Sequence, residues 1–123
     1  MERTLLALGA AFALTGVGLG AFGAHGLKNS LDPDALLTFE TGVRYQMYHG
    51  LGLLLLAALA PRLGESGPAL WAGWLFAAGV LLFSGSLYVL ALTGVRAFGA
   101  ITPLGGLCFL AGWALMLLAA LRS

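Results

Sequence analysis

Residues 4–24 read TLLALGAAFALTGVGLGAFGA, 21 residues without a charge. A helix needs roughly 20 apolar residues to cross the hydrocarbon core of a bilayer, and this stretch supplies them in one run. Gly16 and Gly20 stand four apart, with Gly9 and Gly23 near the same face. In a membrane, small residues at that spacing let helix backbones approach closely, within one chain or between chains. The run is too long for the apolar region of a secretory leader, and no small-residue cleavage pattern follows, so it reads as a retained helix. It is expected to end at His25-Gly26, with Gly26 as the residue that terminates it.

Composition extends this reading to the whole chain. Of 123 residues, 60% are hydrophobic and 9% charged, against about 25% charged in a soluble domain. The mean hydropathy is +0.97. A small soluble fold leaves too much surface exposed to hide this much apolar area, so the natural solvent is lipid. The net charge of +1 gives no basic face for nucleic acid. Cys108 is a lone cysteine in an apolar run, unable to form an intrachain disulfide or a metal site by itself.

Further spans follow along the chain. After a polar loop over residues 27–31, Asp32-Pro33-Asp34 marks a helix start, with Asp32 as N-cap and Pro33 in the first turn. The helical pattern runs from 33 to 60, about 42 Å at 1.5 Å per residue. That exceeds the roughly 30 Å hydrocarbon core, so its beginning is expected at the interface, with Gly42 allowing a bend. Residues 61–67 read as a turn. Pro68 opens a third helix, with Trp71 and Trp74 at its start where an aromatic belt belongs. Thr102-Pro103 opens a fourth, with Thr102 as N-cap. The expected fold is all-α: a single transmembrane domain over 1–123, a bundle of four transmembrane helices with a short interfacial helical extension before helix two. The spans fall at about 4–24, 44–60, 69–92 and 103–121. Thr41-Gly-Val-Arg44 and Thr93-Gly-Val-Arg96 echo one another at the same membrane face, a weak sign of duplication.

Alternating spans place Arg3, Arg62 and Arg122 on one side and Lys28, Arg44 and Arg96 on the other. The positive-inside count is a tie. Pairing of Arg44 with Glu40 tips it toward cytoplasmic termini in a cell (inner) membrane.

Polar side chains collect at one membrane face. Helix one ends near His25 and Lys28. Helix two begins with Glu40, Arg44, Tyr45, Tyr48 and His49. Helix three ends with Ser84, Ser86 and Tyr88, and the last connection supplies Arg96 and Thr102. Glu40–Arg44, Arg44–Tyr48 and Tyr45–His49 are each four apart, within reach on a helix. An ionisable residue at the depth of His49 is a functional-site hypothesis by default, with a partner required. Plainer readings stand beside it: Arg44 snorkelling to headgroups, the tyrosines as aromatic belt, His25 at a helix C-terminus, the serines bonding their own helix, and His49 as a neutral, satisfied interhelical group. The other face carries only Glu2, Arg3, Arg62, Glu65 and Arg122.

Catalytic and cofactor patterns are missing from the sequence. Two histidines and one cysteine make a poor metal set, and His25 and His49 sit at unequal depths for bis-histidine haem ligation. No P-loop or nucleophile-elbow pattern occurs. No cofactor is expected.

Three motifs occur in order: Gly20-Ala-Phe-Gly-Ala-His-Gly-Leu-Lys28; Thr41-Gly-Val-Arg-Tyr-Gln-Met-Tyr-His49; and Leu82-Phe-Ser-Gly-Ser-Leu-Tyr88 followed by Leu92-Thr-Gly94 and Ile101-Thr-Pro-Leu-Gly-Gly106. Together they resemble the YgdD-like family of small bacterial inner-membrane proteins, a domain-of-unknown-function family with a eukaryotic transmembrane counterpart. The resemblance spans nearly the whole chain. It implies a multi-pass membrane location and a chain that is all family domain, and it brings no activity with it.

The expected role is therefore a non-enzymatic binding or structural component. Its polar face would meet membrane lipid headgroups, a small solute or a partner protein, and the chain would form a homo-oligomer. The alternative is a small transporter or channel subunit acting as an oligomer, against which stands the lack of any carboxylate deep in a span. A membrane enzyme using His25 or His49 as acid and base comes third, since no nucleophile accompanies them.

Overall fold

The computed structural model describes residues 2–63 and 67–122. Among them there are four long helices and no strand: α1 (Glu2–His25), α2 (Pro33–Leu63), α3 (Pro68–Thr93, with a π-helical turn at Val80–Ser84) and α4 (Thr102–Arg122). Three helical segments are long and apolar enough to cross a membrane: Glu2–His25, Pro68–Thr93 and Arg96–Arg122. The expected second span, on α2, is not among them, because α2 carries Glu40, Arg44, Gln46 and His49 along its length.

The helix starts follow local chemistry. The Ala35 N–H donates to the Asp32 carboxylate at 2.7 Å, so Asp32 caps α2 with Pro33 as its first residue. Pro68 opens α3 as expected. Thr102 is already helical rather than a cap, and its hydroxyl is engaged elsewhere. Between α3 and α4 the chain makes a 3-10 turn at Arg96–Ala100.

α1 ends at His25 as expected, but the residues that close the helices differ in part from expectation. Gly26 does not take a positive φ; Gly67 and Gly94 do, at 74° and 73°, and of these Gly94 is in the left-handed α conformation. Gly94 closes α3 by donating its N–H to the Leu90 carbonyl at 2.8 Å. Gly26 instead lies so close to Phe22 that a Cβ would come within 2.7 Å of its ring. The expected turn at 61–67 begins later, because α2 continues through Pro61 to Leu63. Its remainder, Gly64, Glu65 and Ser66, lies outside the described residues, as do Met1 and Ser123. Gly42 lies inside an unbroken α2 and is buried beside Tyr88 and Ser84. The Thr-Gly-Val-Arg echo therefore takes two conformations, helical at 41–44 and a helix terminus at 93–96.

Each helix packs chiefly on its neighbours in the chain, α1 on α2, α2 on α3 and α3 on α4, while α2 touches α4 only lightly. α2 and α3 are thus interior, with α1 and α4 flanking them. The glycine face of α1 is spent inside the chain. A Cβ on Gly9 would meet the Gly50 carbonyl at 2.7 Å, Gly16 faces Met47, Gly20 faces Val43 and Gly23 faces Phe39. Lipid tails are as apolar as leucine, so such contacts stabilise through close packing rather than expulsion of water. One apolar cluster joins Leu5, Leu53, Leu56, Ala72 and Phe76; a second, toward the other end, joins Leu27, Phe39 and Ala91.

Candidate functional site

Between the two apolar clusters, α2 turns a polar stripe inward. Gly42, Gln46, His49, Leu53, Leu56 and Ala60 alternate four and three apart and are all buried, the spacing of one helix face. Gln46, 4% exposed, joins three helices. Its amide nitrogen donates to the Phe12 carbonyl at 2.9 Å and to Thr15 Oγ1 at 2.7 Å, both on α1. Its amide oxygen accepts from the Tyr88 hydroxyl on α3 at 2.6 Å. A carbonyl can only accept, so the Phe12 contact fixes which end of the amide faces α1.

His49, also 4% exposed, is held as firmly. The Trp113 indole N–H on α4 donates to His49 Nε2 at 2.9 Å. An indole nitrogen only donates, so Nε2 is the unprotonated nitrogen. The proton therefore sits on Nδ1, which donates to the Tyr45 carbonyl at 2.8 Å. The neutral imidazole has both nitrogens engaged. Its ring stacks on Phe109 with centroids 3.6 Å apart, and Phe76 meets it edge-on at 5.2 Å.

The π-helical turn of α3 and the residues just after it supply the remaining bonds. Ser84, fully buried, donates to the Gly42 carbonyl at 2.6 Å. Ser86 donates to the Phe83 carbonyl at 2.9 Å and meets Thr102 Oγ1 on α4 at 2.6 Å. With its own proton on Phe83, Ser86 accepts from Thr102. A π turn inserts a residue and shifts the register of the side chains that follow it. Here the wide turn sits where Ser84 meets α2 and Ser86 meets α4. Among the described residues every buried side-chain nitrogen and oxygen has a partner.

The sequence-derived cluster thus divides in two. His49, Ser84, Ser86, Tyr88 and Thr102 come together as interhelical bonds. His25, Lys28, Glu40, Arg44, Tyr48 and Arg96 stay exposed. Tyr45 lies between, 37% exposed, with its ring centroid 4.7 Å from that of Phe83. The expected Glu40–Arg44 ion pair is not made, and no ion pair forms among the described residues. The tie in the positive-inside count therefore loses the argument that tipped it. Sequence reasoning passed over Gln46, Thr15 and Trp113. The inward spacing of Gln46 between Gly42 and His49 was a usable signal. Trp113 offered none, since its partner lies on a helix 64 residues away.

Beside the exposed charges, the seam between α1 and α2 opens into a cleft of about 180 Å³. Gly20, Gly23 and Ala24 line it from α1, and Leu36, Phe39, Glu40 and Val43 from α2. Among the described residues no three His, Cys, Asp or Glu side chains are grouped to hold a metal.

The family described as protein of unknown function (DUF423) matches residues 19–106, which contain every side chain of the network except those of Thr15, Phe109 and Trp113; the Phe12 carbonyl also lies outside them. The chain is 49% identical to the UPF0382 membrane protein YwdK of Bacillus subtilis, over 98% of both chains. It is 46% identical to the UPF0382 membrane protein SH2409 of Staphylococcus haemolyticus, over 98% of this chain and 97% of that one. No solved structure matches the chain. These findings agree with the resemblance drawn from the three motifs: the chain belongs to the DUF423 family, whose relatives here are UPF0382 membrane proteins.

Proposed function

We propose that the protein is a non-enzymatic component of the cell (inner) membrane that crosses it four times and binds phospholipid headgroups at its charged face. The division of polar groups carries this reading. The interior side chains are committed to one another, whereas Lys28, Glu40, Arg44 and Arg96 remain exposed and without ion pairs. His49, with both nitrogens bonded, is withdrawn from acid–base work, and recognition falls to the rim.

α2 serves as the fourth span in this reading. Between Arg44 and Arg62 it has no charge, and its two most polar groups there, Gln46 and His49, face protein and are bonded. Polar residues inside a membrane are tolerated on such terms. The part before Arg44 forms the interfacial extension. A transporter role ranks second, because no carboxylate lies within a span to couple proton movement.

Native mass spectrometry of protein released gently from its own membrane, beside Arg44→Ala, tests the proposal. Retained phospholipid that falls away in the variant supports it. A lipid-free chain in both makes Arg44 an anchor only and overturns it, and flux across reconstituted liposomes would then favour the transporter.

A further inference from the structure

Glu40 and Arg44 stand one turn apart on α2, exposed, yet do not bond each other. Such a pair is ordinarily the easiest ion pair a helix can make. Glu40 is instead one of the residues that line the cleft between α1 and α2. At about 180 Å³ the cleft is well above the ~30 Å³ share of a single liquid water. Apart from Glu40 its walls are apolar, and on the α1 side they are the bare backbone of Gly20 and Gly23 beside Ala24. An exposed acidic residue thus borders an otherwise apolar notch, with the exposed Arg44 one turn further along α2.

That arrangement is the complement of a zwitterion. We infer that this cleft binds the headgroup of phosphatidylethanolamine, with its ammonium on Glu40 and its phosphate on Arg44. The inference rests on the lipid-binding reading and names the lipid class. In this headgroup two carbons and an oxygen separate nitrogen from phosphorus, a span comparable to one helical turn of about 5.4 Å. A primary ammonium offers three N–H donors to a carboxylate. The trimethylammonium of phosphatidylcholine offers none and is bulkier than a notch floored by Phe39 favours. Phosphatidylglycerol has no cation for Glu40 at all. Arg44 meets phosphate through its forked N–H donors in all three lipids, so discrimination belongs to Glu40.

The test uses full-length protein in nanodiscs of equal phosphatidylethanolamine and phosphatidylcholine, with retained lipid counted by native mass spectrometry after mild release. Wild type is expected to retain the ethanolamine lipid preferentially. Glu40→Gln should cut that preference about tenfold, the size of one charge-assisted hydrogen bond. Asp34→Asn, another exposed acid on the same helix, should leave it unchanged. Arg44→Ala should reduce retention of both lipids. Equal retention by wild type, or identical behaviour of Glu40→Gln and Asp34→Asn, overturns the inference. If wild type shows no preference but Arg44→Ala still sheds lipid, headgroup selectivity fails while the lipid-binding reading stands. If Arg44→Ala sheds nothing, both fail. Complete displacement by free phosphoethanolamine would assign the cleft to a solute and overturn the lipid assignment.

Discussion

Replacing Gln46 by leucine would strip one side chain from three hydrogen bonds, two to α1 and one to α3. Thr15 keeps its own bond to the Ala11 carbonyl, but the Tyr88 hydroxyl is left without its acceptor. Hydrogen bonds between membrane helices are worth about 0.6 to 2 kcal/mol each, so Gln46→Leu is expected to lose about 1–3 kcal/mol in reversible unfolding from mixed micelles. Tyr88→Phe should lose less. The double variant should cost less than the sum, because both changes break the same bond. A second expectation concerns His49. Nitrogen-15 NMR should find a neutral ring protonated on Nδ1, since Trp113 claims Nε2. Trp113→Phe should shift the Nε2 resonance, and a wild-type ring protonated on Nε2 would refute the assignment. Of this network, the inward placement of Gln46 was readable from its spacing. The His49–Trp113 bond was not, because no local pattern announces a partner on another helix.

At the scale of elements, glycine governs how closely the helices lie. A Cβ on Gly105 would run into the backbone of Phe83, whereas one on Gly18 meets nothing within 4 Å. Gly105→Ala should therefore destabilise by about 1–3 kcal/mol, the usual cost of overpacking. Gly18→Ala should be neutral or slightly stabilising, because alanine is the better helix former. Thermal unfolding of the two variants in the same detergent checks the contrast, and equal midpoints would mean that α3 and α4 are not packed this closely. The glycine face of α1 was legible in the sequence, but its partner was not: Gly9 packs on Gly50 of the same chain. Helix starts at Asp32-Pro33 and at Pro68 were also legible, because capping is local chemistry. The π turn at Val80–Ser84 was not, since its side chains answer to α2 and α4 rather than to their own helix.

At the scale of the whole molecule, the proposed four crossings would place Arg3, Arg62 and Arg122 on one side and Lys28 and Arg96 on the other. Single cysteines at these positions, on a background with Cys108 replaced, should label from two opposite sides in that grouping. An impermeant reagent applied outside intact cells should reach the Lys28 and Arg96 sites if both termini are cytoplasmic. Labelling of Arg62 together with Lys28 would mean that α2 does not cross. This outcome bears on the one helix whose composition falls short of a span. The shortfall has a physical origin. α2 lies between α1 and α3, so it can carry polar residues that a lipid-facing helix could not.

Composition and run length alone determined that this chain is helical and belongs in a membrane. A backbone surrounded by lipid must satisfy its own hydrogen bonds, and short polar punctuation then sets where each helix starts. Only the tertiary structure decided which polar residues are spent on holding helices together and which are left at the rim. The twelve positions that the sequence groups at one membrane face separate into bonded interior groups and exposed side chains, with Tyr45 between them, once the helices pack. Burial and partner distance depend on the rotation of one helix against another, and that rotation is set by contacts between residues far apart in the chain.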